Sequence, residues 1–404
     1  MSPFLTRLYS PVEIGQLGLF LAFVQVATVA TSLRYEQAVV IPARTADAAR
    51  LVGLAIGLVP MVSLISAALL AALILLDVGG YGTLPLVAAP LAGLGLAGFG
   101  ILTVLRYWLI RSDAYRMISQ VQVVQSAGRA IAQVGFGLLS GGVLGLLVGD
   151  ILGRLLGLSG AIRSAGAAAM AARRLPGLST AAMARAYWRF PALGVPSSLL
   201  NAAAASLPVP LVAASYDLTM AGYLALVQRV LGLPLSVIGA SVGDATLARV
   251  AEHARSDPRA ALPLFRRLAI ALFLVGLPIA IGLAVLGPWA FGIVFGPAWG
   301  TAGVVAAHMA PWLVSALIVS PLSRVAVVYQ AQRTKLVYDV LALAAVVVSI
   351  AGGAAAGLDA LEAIRLLAVL QTAAYAVYLL VLYRVVSRHA AAPIPADHDE
   401  TTGR

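Results

Sequence analysis

PFLTRLYSPVEIGQLGL, residues 3–19, is echoed by PLVAASYDLTMAGYLAL, residues 210–226. Five positions match at a constant offset: Pro3 with Pro210, Tyr9 with Tyr216, Gly15 with Gly222, Leu17 with Leu224 and Leu19 with Leu226. Chance matches are frequent in apolar sequence, so the setting carries the weight. Both copies lead from a polar approach with a tyrosine into an apolar run of membrane-helix length. An internal repeat placed this way predicts two related halves, a common plan among membrane transporters.

The rest of the chain fits that plan. Of 404 residues, 61% are hydrophobic and only 11% charged, too few to clothe a soluble core of this size. Mean hydropathy is +0.97. The solvent for most of the surface is therefore lipid. Lipid demands internally satisfied backbones, and no run of short alternating strands appears, so helix is the expected element. The net charge of +11 comes from 26 arginines and a single lysine against 16 acids. In a membrane chain that excess reads as orientation and contact with anionic lipid, not as nucleic-acid binding. Cysteine is absent, which excludes disulfides, thiol catalysis and cysteine metal sites.

Apolar stretches fall at 14–33, 51–76, 84–105, 117–139, 141–159, 192–215, 218–247, 268–290, 301–330, 334–356 and 360–384. The expectation is an all-α polytopic membrane protein of about 11 transmembrane helices at ~20 residues each. Basic residues mark alternate connections. Arg34, Arg44 and Arg50 follow the first stretch, Arg106, Arg111 and Arg116 the third, and Arg163, Arg173, Arg174, Arg185 and Arg189 the fifth. Arg249, Arg255, Arg259, Arg266 and Arg267 follow the seventh, Arg333 and Lys335 the ninth, and Arg384 and Arg388 the last. The intervening DVGGYGT, SYDLTMAG and GLDALEA hold no Lys or Arg. The positive-inside rule then places the N-terminus outside and the C-terminus in the cytoplasm.

The expected organisation is a bundle of five spans over 1–160, a basic cytoplasmic linker over 161–190, a bundle of six spans over 191–388, and a disordered cytoplasmic tail over 389–404. The repeat exposes an asymmetry. A full apolar stretch precedes Tyr216, but only eight residues precede Tyr9. Restoring one helix ahead of Tyr9 would give six plus six.

Charge and amide groups within apolar stretches are costly in a bilayer and therefore point to function. In MISQVQVVQSAGRAIAQVGFGLL, residues 117–139, Gln122, Gln125, Arg129 and Gln133 share about 80° of a helix face. Such a stripe can line a water-filled cavity, or its amides can bond neighbouring helices. Arg229 and Arg324 lie in apolar stretches of the second half. Guanidinium groups in a cavity suit phosphate or diphosphate oxygens; near a helix end they snorkel to the interface. Asp150 and Arg154 have the spacing of a pair on one helix face. Asp244 and Asp339 are candidate ion or proton sites near helix ends. Asn201, His308 and Trp312 read as packing or interface residues. No phosphate-cradling GK[ST] loop and no HExxH or GxSxG motif occurs, so neither catalytic residues nor a metal or other cofactor is expected.

With these residues in view, the chain resembles the bacterial O-antigen type polysaccharide flippases, the Wzx-like branch of the multidrug/oligosaccharidyl-lipid/polysaccharide exporter superfamily. The resemblance rests on LTRLYSPVEIG at 5–15, LRYEQAVVIP at 33–42, YWRFP at 187–191, QRVLGLPLSVIGASVGDAT at 228–246 and FGPAW at 295–299, in that order. It implies two MATE-like bundles of six helices around a central cavity, in which the first helix is missing here. It further implies a bacterial plasma-membrane transporter of undecaprenyl-diphosphate-linked oligosaccharide, working from the inner to the outer leaflet by alternating access. A polysaccharide polymerase and glycosyltransferases would be its partners, beside membrane lipids. The cavity residues are then Arg129, Gln122, Gln125, Gln133, Arg229 and Arg324. Arg34 and Glu36 of LRYE, at the end of the first span, would gate or admit the head group. Two other classes compete. A drug/cation antiporter of the same fold needs cavity acids, whereas the mid-membrane charges here are mainly arginines. A polysaccharide polymerase or ligase needs a large outer loop, and the outer connections are short.

Overall fold

The SPVE sequence within the first copy of the repeat, residues 10–13, is also a helix start. In the computed structural model, which describes residues 2–139, 141–256, 258–329 and 331–391, the Glu13 backbone N–H donates to the Ser10 hydroxyl. The Ser10 N–H in turn donates to the Glu13 carboxylate at 2.8 Å. This reciprocal cap, with Pro11 in the first turn, fixes where the helix begins.

All described elements are helical, and no strand occurs among the described residues. The first half contains α1 (Ser2–Leu8), α2 (Pro11–Thr28), α3 (Tyr35–Ala38), α4 (Thr45–Leu75), α5 (Ala88–Arg111), α6 (Tyr115–Leu138) and α7 (Gly142–Leu155). The middle of the chain forms α8 (Leu158–Ala161), α9 (Ala167–Arg173) and α10 (Thr180–Ala186). The second half contains α11 (Val195–Ser206), α12 (Pro208–Ser215), α13 (Leu218–Ser256), α14 (Pro258–Phe295) and α15 (Gly300–Leu322). It ends with α16 (Val325–Val328), α17 (Gln332–Val347), α18 (Gly353–Ala355) and α19 (Ala360–Ala391). The tail from 392 onward lies outside the described residues.

Among the described residues, 8 helices are long and apolar enough to cross a bilayer, and 9 if α11 and α12, bent by 51°, count as one span. The other two expected spans fall on α6, whose polar stripe dilutes its apolar content, and on α13, apolar over Leu218–Gly232. The count of eleven depends on those two helices. Leu64, Leu69 and Leu75 on α4 and Ile270, Leu274, Val285 and Trp289 on α14 are exposed, as lipid-facing side chains must be. The chain is a multi-pass membrane protein.

Its two ends differ. At one end the arginine-bearing connections pack on each other. Arg111 donates to the carbonyls of Val39, Val40 and Ala43. Arg50 donates to the Leu175 carbonyl at 2.9 Å, and the Asp47 carboxylate accepts the Leu178 N–H at 2.7 Å. The Tyr35 hydroxyl donates to the Ala184 carbonyl at 3.2 Å. The basic middle segment is thus docked structure. The fifth span itself continues past a left-handed Gly157 as helix to Arg173, beyond the boundary expected at 160. At the opposite end, Gln16 donates to the Thr83 carbonyl at 2.6 Å, and the buried Trp299 of FGPAW donates to the Thr6 carbonyl at 2.9 Å. The second of these bonds ties the start of the chain to the second half.

The repeat is visible in three dimensions. Helices α2 and α13 cross where Gly15 meets Gly222. A Cβ on Gly15 would overlap the Leu218 carbonyl oxygen, and one on Gly222 would overlap the Pro11 carbonyl oxygen. One turn further, Gly18 faces Ala225. The repeat tyrosines behave alike. Tyr9 donates to the Gln133 carbonyl on α6 at 2.8 Å, and Tyr216 to the Ile350 carbonyl just past α17 at 3.5 Å. Counting from α2 and from α13, α6 and α17 are the equivalent helices of their bundles.

Gly15→Ala and Gly222→Ala should each lower the thermal unfolding midpoint of the detergent-purified protein, by the equivalent of about 1–3 kcal/mol for overpacking. Gly57→Ala, where nothing lies within 4 Å of the added carbon, should leave the midpoint unchanged or raise it.

Candidate functional site

Beyond the Gly18–Ala225 contact the two bundles part around a cavity of about 530 Å³. Helix α2 contributes Ala22 and Gln25, α6 Arg129, α7 Asp150, and α13 Gln228 and Arg229. Guanidinium groups from both halves therefore meet one space. Arg229 also donates to the Gln133 amide oxygen at 3.3 Å, across the boundary between the bundles.

The stripe on α6 is organised by α7, which runs antiparallel to it. Gln125 donates to the Arg154 carbonyl at 2.7 Å, Arg129 meets Asp150 at 3.5 Å, and Gln133 donates to the Leu146 carbonyl at 3.3 Å. Each step of four residues along one helix is matched by four back along the other. Gly149 and Gly153 permit this approach, since a Cβ there would press on the backbones of Gln133 and Arg129. The amides of Gln125 and Gln133 thus hold the two helices together, the second use expected of the stripe. Asp150 is only 1% exposed and serves two cations, because Arg154 also binds it at 2.6 Å. Arg154 rests in turn on the Phe99 ring, 5.5 Å from its centroid. Three guanidinium groups share this one carboxylate or stand near it, so the region is net positive.

The remaining candidates lie elsewhere. Gln122 is exposed on α6 and does not line the cavity. Arg324, at the break between α15 and α16, lies against Gly243 of α13 and also stays outside the cavity lining. A helix break leaves it at an end of its element, which a continuous span over 301–330 would not have done. Arg34 and Glu36 come together in a separate cavity of about 280 Å³ at the arginine-rich end of the first bundle. Asp339 is buried, paired with Lys335 at 2.7 Å and accepting from Asn201 at 3.3 Å. The side chain of Asp244 lies outside the described residues. Sequence reasoning passed over Gln25, Gln228 and Ser206. Each is a polar residue in an apolar run, and Ser206 lines the cavity with a buried, unpartnered hydroxyl.

A family model described as polysaccharide biosynthesis protein matches residues 4–303. The chain belongs to that family. No curated protein matches. Among solved structures, it is similar to an inward-facing multidrug resistance MATE family transporter of the MOP superfamily, at 13% identity and a TM-score of 0.70. That match covers 97% of this chain and 94% of the other. It is also similar to the lipid II flippase MurJ in an inward closed conformation, at 14% identity and a TM-score of 0.71, covering 96% of this chain and 88% of the other. At such identities the likeness establishes the fold: this member of the polysaccharide biosynthesis family shares the fold of these two solved structures.

Removing the shared carboxylate should be the most damaging single change at this site. Asp150→Asn is expected to cost about 3 kcal/mol or more, as for one partner of a buried pair. Arg154→Ala combined with Asp150→Ala should cost less than the sum of the two single changes, read from unfolding midpoints in detergent.

Proposed function

We propose that this chain flips a lipid-linked oligosaccharide, carried on undecaprenyl diphosphate, from the cytoplasmic to the outer leaflet of the bacterial plasma membrane for surface polysaccharide assembly. The observation that carries this reading is the convergence of Arg129 and Arg229, one from each bundle, on a cavity between the bundles. A diphosphate offers oxygens at the spacing that guanidinium groups bind in pairs, and a low-polarity surround strengthens that attraction. The family's biosynthetic description and the lipid substrate in the name of one structural neighbour support the same class of cargo.

In this reading the arginine-rich end faces the cytoplasm, the N-terminus of the chain lies outside and the C-terminus inside. The Gly15–Gly222 crossing and the Trp299–Thr6 bond form the outer closure. The cargo's diphosphate reaches the arginines from the cytoplasm while its isoprenoid tail stays in lipid. Rocking of the bundles about the cavity then opens the outer end. Glycosyltransferases supply the cargo and a polymerase consumes it. A cation antiporter is the second reading. Its weakness is that Asp150, the carboxylate at the cavity, is already held by two arginines. A polymerase or ligase has less support still, because the outer connections are short.

The test is translocation of a fluorescent undecaprenyl-diphosphate oligosaccharide in proteoliposomes, scored by a glycosidase confined outside. Arg129→Ala and Arg229→Ala should each slow translocation about tenfold or more, the value of one lost charge-assisted contact. Unchanged rates at equal reconstitution would reject the cationic-cavity reading. Ethidium efflux that survives both changes would favour the antiporter.

A further inference from the structure

The second bundle carries an open groove of about 670 Å³ between α15 and α19, which shares no lining residue with the central cavity. Both helices start at the end away from the arginine-bearing connections, α15 just past Trp299 and α19 just past GLDALEA. Ala307 and Pro311 of α15 and Ala368, Val369, Ala373 and Ala376 of α19 form most of its walls. Their short side chains leave the space. Val369 is exposed, as are Val377 and Leu380 on the same stripe of α19, so this stripe faces lipid.

Two polar groups stand out in these apolar walls. Arg365, exposed in the second turn of α19, is a cation inside an apolar span, at the end where the connections hold no Lys or Arg. The acids before it serve the helix start. The Asp359 N–H donates to the Glu362 carboxylate at 2.9 Å, and the Glu362 N–H donates to the Asp359 carboxylate at 2.7 Å. Among the described residues, Arg365 has no partner of its own. His308, in the third turn of α15, meets the Val304 carbonyl through Nδ1 at 2.8 Å. A carbonyl only accepts, so Nδ1 carries the proton, and the neutral ring keeps Nε2 as an acceptor. The Thr372 hydroxyl is already bonded, to the Ala368 carbonyl at 2.7 Å. The described walls thus offer one full positive charge, one acceptor and an apolar trough. A free anion has no use for the trough or the acceptor, and Arg365 repels the ammonium of a zwitterionic head group. The complement is an acyl chain below a head group with one negative charge and a hydroxyl donor.

We infer that this groove holds a phospholipid with an anionic glycerol head group. The lipid phosphate pairs with Arg365, a head-group hydroxyl donates to His308 Nε2, and an acyl chain lies along the alanines. Snorkelling of Arg365 to water would account for the charge, but neither for the trough beside it nor for the histidine. The assignment does not depend on what the central cavity carries.

Native mass spectrometry of the detergent-purified full chain, with lipid titrated in at pH 8, reads the affinity of the first lipid bound. Dioleoyl phosphatidylglycerol should bind about tenfold or more tightly than dioleoyl phosphatidylcholine, the value of one charge-assisted contact. Arg365→Gln should remove that preference. Ala373→Leu, which fills the groove without changing its charge, should weaken phosphatidylglycerol about fivefold or more. His308→Phe should weaken it roughly two- to tenfold, the value of one neutral hydrogen bond. The same change should leave dioleoyl phosphatidylmethanol, which has the charge but no head-group hydroxyl, unaffected. A misfolded variant would not tell those two lipids apart. Equal affinity of the unsubstituted chain for phosphatidylglycerol and phosphatidylcholine, or binding indifferent to all three substitutions, would overturn the proposal. So would displacement of phosphatidylglycerol by an equal concentration of undecaprenyl phosphate, which would give the groove to an isoprenoid.

Discussion

Two glycines from different halves touching backbone to backbone set the geometry of this protein. Gly15 and Gly222 leave no room for a side chain between α2 and α13, so the bundles are pinned together at the end opposite the arginines. Lipid offers no hydrophobic drive for helices to associate, and close backbone approach through small residues is what remains. The seam relaxes in steps along the same two helices. Gly18 and Ala225 still touch, while Ala22, Gln228 and Arg229 already line open space. One helix pair therefore provides both a closed end and the walls of a cavity.

The polar groups of the first bundle follow from a second constraint, that an unbonded polar group in a low-dielectric interior is costly. Gln125 and Gln133, on either side of Arg129 in the α6 stripe, are bonded to α7 carbonyls, which leaves Arg129 between them with Asp150. The ladder holds Arg129 at one depth. The buried carboxylate holds two cations at once, and the surplus positive charge is what an anionic cargo would meet.

Much of this was legible in the sequence. The offset between Tyr9 and Tyr216 and between Gly15 and Gly222 located the two halves, and the same residues turn out to form the crossing and its two matching tyrosine bonds. Composition gave the helical, lipid-embedded class. The site was only partly legible. A helical wheel places Gln122, Gln125, Arg129 and Gln133 on one face, but it cannot say which neighbour that face meets. Here α7, with Gly149 and Gly153 at the contact, takes Gln125 and Gln133 by its carbonyls and Arg129 by Asp150, and leaves Gln122 exposed. Arg324 could not be placed because the break after Leu322 depends on tertiary packing and carries no strong sequence signal. Arg50 looked like a simple orienting charge, whereas it holds a segment that lies about 125 residues later in the chain. Arg34 gave no sign of its left-handed backbone, since that is a property of the packed turn.

In the proposed transport cycle the α2–α13 crossing parts when the cavity opens outward. The absence of native cysteine lets spin labels be placed cleanly at Val12→Cys and Asp217→Cys, beside the crossing, in the reconstituted protein. Double electron–electron resonance should give one short distance without cargo. When lipid-linked oligosaccharide is present and translocation is under way, a second, longer population should appear. A single unchanged distance in protein that is demonstrably translocating would contradict it.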